Sequence, residues 1–463
     1  MKIWISLPLA LCLATAACNK ERDARGLNSS APETNGLGLS ETAQNDVPDP
    51  CSLALAPHSG DGKIDRDIIF YQSKIKAGQN AFASIENLGW LYVAKARQSF
   101  DPGYYKLAEQ CAYCLESKKP HSPEAMLLRG HVLQNLHKFK EAEPLARELV
   151  AIRGLSFDHG LLGDVLMEQG RLDEAANSYQ KMVDLKPDLE SYSRIAHYRW
   201  LKGDLAAATE LMQSAVSAAS PNAPESAAWV NTRLAFYQFQ SGEISLANDT
   251  CDVALDYQTN YPPALLLRGR LLLAEGKADE AVQALTRAEK FNPLPDYQWT
   301  LSEALHAAGQ EDAAALVETR LNNTGAGSDP RTFALYLASQ GQTNATSLEL
   351  AYAELNSRAD VFTQDALAWA LFANGQPESA YQVMQKALKE GTVDARLYFH
   401  ATLIANRAGH NEEAAEWLEK TAPLIPQLLP SEQKLFQQTA VQLGLTDTAE
   451  TGSQTTAFAV PQK

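Results

Sequence analysis

Cys111 and Cys114 stand three residues apart in the run CAYC, and two thiols at that spacing can do several kinds of chemistry. In an oxidising compartment they could cycle as a redox pair or supply half of a metal site. One of them could instead join Cys51 in a structural disulfide, or both could simply pack as small hydrophobes. The run sits inside a helical pattern, away from a helix N-terminus that would lower a thiol pKa, and no second pair supplies further metal ligands. Cys251 falls four residues after Ala247 on the same helix face and reads as a packing residue. Nine His and many carboxylates are scattered along the chain without forming a spaced set.

Residues 59–65, SGDGKID, are similar to the middle of a calcium-binding EF-hand loop, with Asp61 and Gly62 at its fifth and sixth positions. Pro57 and Ser59 occupy the first and third positions, and Ile68 stands where the bidentate Glu belongs, so the ligand set is incomplete. The sequence contains no P-loop, no H-E-x-x-H and no G-x-S-x-G. A non-catalytic protein without a cofactor is the expectation.

The N-terminus sets the compartment. Residues 1–17 have one Lys, a short apolar stretch and then small residues, the layout of a secretory signal and too short to span a bilayer as a helix. Thr15-Ala16-Ala17-Cys18 resembles the lipobox of bacterial lipoproteins. That resemblance implies cleavage before Cys18, lipidation of Cys18 and a cell-envelope location. With Asn19 following, it implies the periplasmic side of the outer membrane if the source has two membranes. Residues 18–65 are poor in apolar side chains and read as a flexible tether, holding the body roughly 30 Å from the lipid on average. Forty Lys+Arg against 56 Asp+Glu give a net charge of −16, which repels nucleic-acid phosphates. Membrane attachment through the N-terminal lipid only, and no nucleic acid, are expected.

Beyond the tether an Ala recurs at positions 108, 142, 175, 208, 247, 281, 314, 380 and 414, with Thr346 in the slot between 314 and 380. Gly stands five residues earlier in nine of the ten cases, His137 being the exception. A small residue about twelve positions before the Ala, as at Gly130, Gly163 and Gly269, marks the close approach of two helices. A terminal Gly closes the first helix of each pair, and a Pro follows many of the second helices. A period of 33 to 34 with this punctuation resembles the tetratricopeptide (TPR) repeat. The resemblance implies an all-α, right-handed superhelical solenoid of about ten helix-turn-helix repeats over residues 66–425. Residues 426–446 then form a C-terminal capping helix and 447–463 a disordered tail.

In that family the inner slots of each first helix line a concave groove that binds protein or peptide partners. Here those slots hold Glu86 and Trp90, then His131, Asp164, Trp200, Phe236, Arg270, Trp299, Trp369, Phe372 and Arg407. Rigid rings in a half-open channel suit peptide recognition, though the same rings would pack on one another in a tightly wound superhelix. Acids dominate the early slots and Arg the later ones, whereas the cationic clamp that binds C-terminal carboxylates is missing. The resulting expectation is a lipid-anchored scaffold. The alternative is a redox or metal-handling accessory protein built on Cys111 and Cys114.

Overall fold

The computed structural model describes residues 49–341 and 345–442, so Cys18, the signal segment and the tail lie outside the described residues. Among the described residues there are 23 α-helices, one 3-10 helix and no strand. Two compact units divide them, residues 49–162 and 163–442, with the boundary inside one helix.

The first unit begins with α1 (Pro50–Ala54), α2 (Lys63–Lys76), α3 (Ala81–Ser99) and α4 (Gly103–Lys118). It continues with α5 (Pro123–Asn135), α6 (Phe139–Ile152) and the start of α7 (Ser156–Glu168). Asp49 caps α1 by accepting the backbone N–H groups of Cys51 and Ser52 at 3.4 and 3.1 Å, and Pro50 opens the helix. Cys51 is bonded to Cys114, closing 63 residues of chain onto α4. Gln72 donates to Ala56 O at 2.8 Å and to the Tyr92 hydroxyl at 2.9 Å, and Tyr92 in turn donates to Ala54 O. Asp65 is buried between His58 and Lys95, at 2.8 and 2.7 Å.

Residues 49–65 are therefore folded, and the tether expected over 18–65 must end before Asp49. Composition concealed this because a disulfide and a few polar contacts, instead of an apolar stripe, hold the segment.

Every expected Ala of the ladder, from Ala108 to Ala414, is fully buried. Thr346 is the correction: it is exposed, while Ser347 is buried and faces Asn374 at 3.2 Å. Placing Ser347 in the slot makes the spacing 33 residues on either side. The turn glycines from Gly170 to Gly409 adopt left-handed φ of 70 to 87°, and His137 adopts 57° in the slot that lacks Gly. Gly103 does not follow the rule: it sits at the start of α4, and the left-handed residue there is Phe100. The insertion in that repeat displaces the turn.

In the second unit the helix pairs run from Leu172–Leu185 to Asn411–Thr421, followed by a 3-10 helix, Ala422–Gln427. A terminal helix, Pro430–Gln442, stands over the residues where the cap was expected, and Ser431 at its start donates back to Glu303 on the helix Pro295–Ala307; residues 443–446 lie outside the described set. This unit closes on itself. Ala359 N donates to Glu168 O, Thr392 Oγ1 to Leu201 O, and Gln427 Nε2 to Phe239 O. Their sequence separations, 191 for the second and 188 for the third, are nearly equal. A constant offset along the chain is what successive turns of a superhelix give when their edges touch. The turn glycines are part of this seam: a Cβ at Gly170 would lie 2.5 Å from Ala359 O, and one at Gly203 2.4 Å from Gly391 O.

Candidate functional site

In the first unit the inward slots of α3 and α5 remain half-exposed. Trp90 and His131 place their rings 5.4 Å apart at a tilt of 59°. Glu86, one turn before Trp90, and Glu124 on α5 share this face. Burial, and then the charge of Glu124, raise the Glu86 carboxyl above its usual range, with Arg153 opposing. Two carboxylates that disfavour each other beside an indole make a face suited to a cation: a Lys or Arg side chain would relieve the repulsion and lie against the ring.

The second unit treats its slots differently. Asp164 is buried in a bidentate pair with Arg194, at 2.9 and 2.8 Å, and accepts the Tyr179 hydroxyl at 3.0 Å. Trp200 lies against Phe236 and Phe362, both at 5.3 Å, with Arg233 at 5.7 Å, and its indole donates to Val393 O at 3.1 Å. Trp299, 1% exposed, sits under the Arg396 guanidinium at 4.7 Å. Trp369, 3% exposed, stacks on His400 at 4.0 Å and Phe372 at 4.9 Å, and donates to Ser339 Oγ. Arg270 is paired with Asp296 at 2.5 Å. Phe236 and Phe372 are half-buried, and Arg407 is exposed.

The open groove expected along the whole array is thus corrected for this unit. Chain from later repeats covers the rings at Trp200 and Trp299, and Trp369 is enclosed by its neighbours. The packing alternative holds there, because the superhelix is wound tightly enough for its turns to touch.

Along the seam lies a buried charge cluster that slot patterns do not reveal. Arg358 reaches Glu354 at 2.9 Å and Glu168 at 3.7 Å, and Arg331 lies 3.3 Å from Asp360. Burial and the Asp360 charge push Glu168 up to about 7, against the pull of Arg358 and Arg331. Burial also raises Asp360, but Arg331 and Arg358 outweigh it and hold the carboxyl low. Lys202 meets Glu390 at 2.6 Å on the rim. A lone Arg358 just before the Asp cap of the next helix was the available signal for this cluster.

Cys111 and Cys114 are not partners. Cys114 is bonded to Cys51, and Cys111 is buried with its thiol pushed well up by desolvation, so the pair cannot cycle as the alternative requires. Cys251 is buried as expected, its thiol directed at Ala264 O. No group of three or more His, Cys, Asp or Glu among the described residues is placed to hold a metal.

Four stretches, residues 127–190, 161–224, 266–326 and 366–428, match the family model described as Tetratricopeptide repeat. Among solved structures, PilF of Pseudomonas aeruginosa is 16% identical over 47% of this chain and 97% of that one, with a TM-score of 0.38. The human IFIT1 dimer with PPP-AAAA is 12% identical over 81% of this chain and 94% of that one, at 0.44. YrrB, described as a TPR protein with an unusual peptide-binding site, is 12% identical over 43% and 97%, at 0.30. No curated protein sequence matches. With its buried Ala ladder, left-handed turn glycines and four repeat matches, the chain belongs to the tetratricopeptide-repeat family.

Proposed function

We propose that the chain is a non-catalytic scaffold, anchored in the bacterial cell envelope through lipid on Cys18, whose first repeats bind a protein or peptide partner. The repeat family supports a protein-interaction role in general. The finer reading rests on one observation: Glu86, Trp90, Glu124 and His131 stay partly exposed together on one face of α3 and α5, while Asp164, Trp200, Trp299 and Trp369 in later slots are buried. The partner presents a cationic side chain to the carboxylates and apolar surface to Trp90.

A displayed peptide library screened on the full chain tests this. Selected peptides should be enriched in Lys and Arg, and Trp90→Ala should weaken their binding about tenfold or more, as loss of an aromatic anchor does. Glu86→Gln should weaken it less and flatten its salt dependence. Selection of peptides indifferent to both substitutions would remove the site. The mass of the Cys18 peptide after isolation from the native membrane tests the anchor separately.

A further inference from the structure

The first helix of a stacked array has no neighbour on its outer side, so that side is ordinarily polar. In α2 it is not. Ile68 and Gln72 face α3 and are buried, but Phe70, 53% exposed, stands on the opposite side and Ile69, 40% exposed, on the flank between them. Lys63 and Arg66 are exposed beside Phe70 and Lys76 beside Ile69, and Lys74 lays its ammonium 5.0 Å from the Phe70 ring centre, with Asp67 the one carboxylate on that side. Apolar residues standing out between cations on a helix surface suit a lipid-water interface, with the ring and the aliphatic carbon among the acyl chains and the cations at the phosphates.

Charge is distributed accordingly. Residues 49–162 carry 14 Lys+Arg and 13 Asp+Glu, whereas residues 163–463 carry 22 and 38, so the second region alone bears −16. An anionic surface therefore repels the second region and admits the first. The described residues begin in the same unit as α2: Asp49 lies near Lys118, and Cys51 is bonded to Cys114 in the last turn but one of α4. Taken as the tether read from composition, the 31 residues from Cys18 to Asp49 would span roughly 30 Å, short enough for α2 to reach the bilayer that holds the anchor.

We propose that the exposed face of α2 docks on the anionic phospholipid surface of that bilayer, a proposal that rests on the Cys18 anchor and adds an orientation to it. Docking fixes the first repeats at the membrane.

Hydroxyl-radical footprinting of the full chain on vesicles tests the proposal. On vesicles of phosphatidylethanolamine with phosphatidylglycerol, labelling of Ile69 and Phe70 should fall about fivefold relative to the chain in non-ionic detergent, and on phosphatidylcholine alone less than about twofold. Leu316, 64% exposed in the second unit, serves as the internal control and should label alike throughout. Lys63→Glu with Arg66→Glu should restore the labelling of Phe70 on anionic vesicles. The Cys18 peptide from the same digest reports acylation. Acylated Cys18 with Phe70 still fully labelled on anionic vesicles overturns the docking and leaves the anchor in place. Unmodified Cys18 removes the anchor, and vesicle-dependent protection that the charge-reversed variant loses still supports the docking surface. Protection of Phe70 that appears in detergent and grows with protein concentration assigns the face to a second copy and also overturns the proposal.

Discussion

Trp90 and Trp369 occupy equivalent inward slots, yet Trp90 is half-exposed on α3 in the first unit and Trp369 is enclosed between His400, Phe372 and Ser339 in the second. The same repeat therefore yields a reachable ring in one unit and a core ring in the other. The slot sets the direction of a side chain. Exposure is set by superhelical pitch, a sum of small rotations over many repeats. In the second unit that pitch brings Val393 to Trp200 and Gln427 to Phe239.

The comparison can be broken most severely at the rings. Trp369→Ala should cost about 3 to 5 kcal/mol, as removal of a buried aromatic does, whereas Trp90→Ala should cost about 1 kcal/mol or less. Denaturant unfolding followed by hydrogen exchange in each unit measures both, and equal costs would erase the distinction. Next in size is the staple of the first unit. Cys51→Ser should destabilise residues 49–162 by about 2 to 4 kcal/mol, given a closed loop of 63 residues, and leave exchange in the second unit unchanged.

A pH dependence should also mark the seam of the second unit. Glu168, at about 7 when folded, lies above the value of about 4.3 for an unfolded Glu, so folding favours its protonated form. The resulting contribution is complete below about pH 4.3 and is lost as pH rises through 7. Glu168→Gln should flatten the stability profile over that window, and a profile unchanged by the substitution would contradict the assignment. The smallest effect is on the rim. Lys202→Glu should cost about 0.2 to 1 kcal/mol at the seam, and adding Glu390→Lys should recover it, since the pair is partly exposed.

Much of this was legible in the residue pattern because it is local. A buried Ala with a turn residue five positions earlier marks each pair of helices, and even His137 takes the left-handed conformation its slot demands. Thr346 misled because Ser347, one position on, is an equally small polar residue, and only burial separates them. The pairing of Cys51 with Cys114 was one of several open readings, since nothing in the composition of residues 49–65 announces a folded segment. The closing seam was the least legible. Its members, such as Leu201 and Thr392, lie 191 residues apart, and backbone atoms that carry no sequence signature make many of its hydrogen bonds.

Oxidative labelling of the individual Trp side chains in the intact chain, read by mass spectrometry, tests the contrast between the units most directly. Trp90 should react at least about tenfold faster than Trp299 and Trp369, as reagent access to a half-exposed ring and to a buried one differs. Comparable rates for all three would mean that the second unit is open in solution, and would contradict confining the binding face to the first repeats.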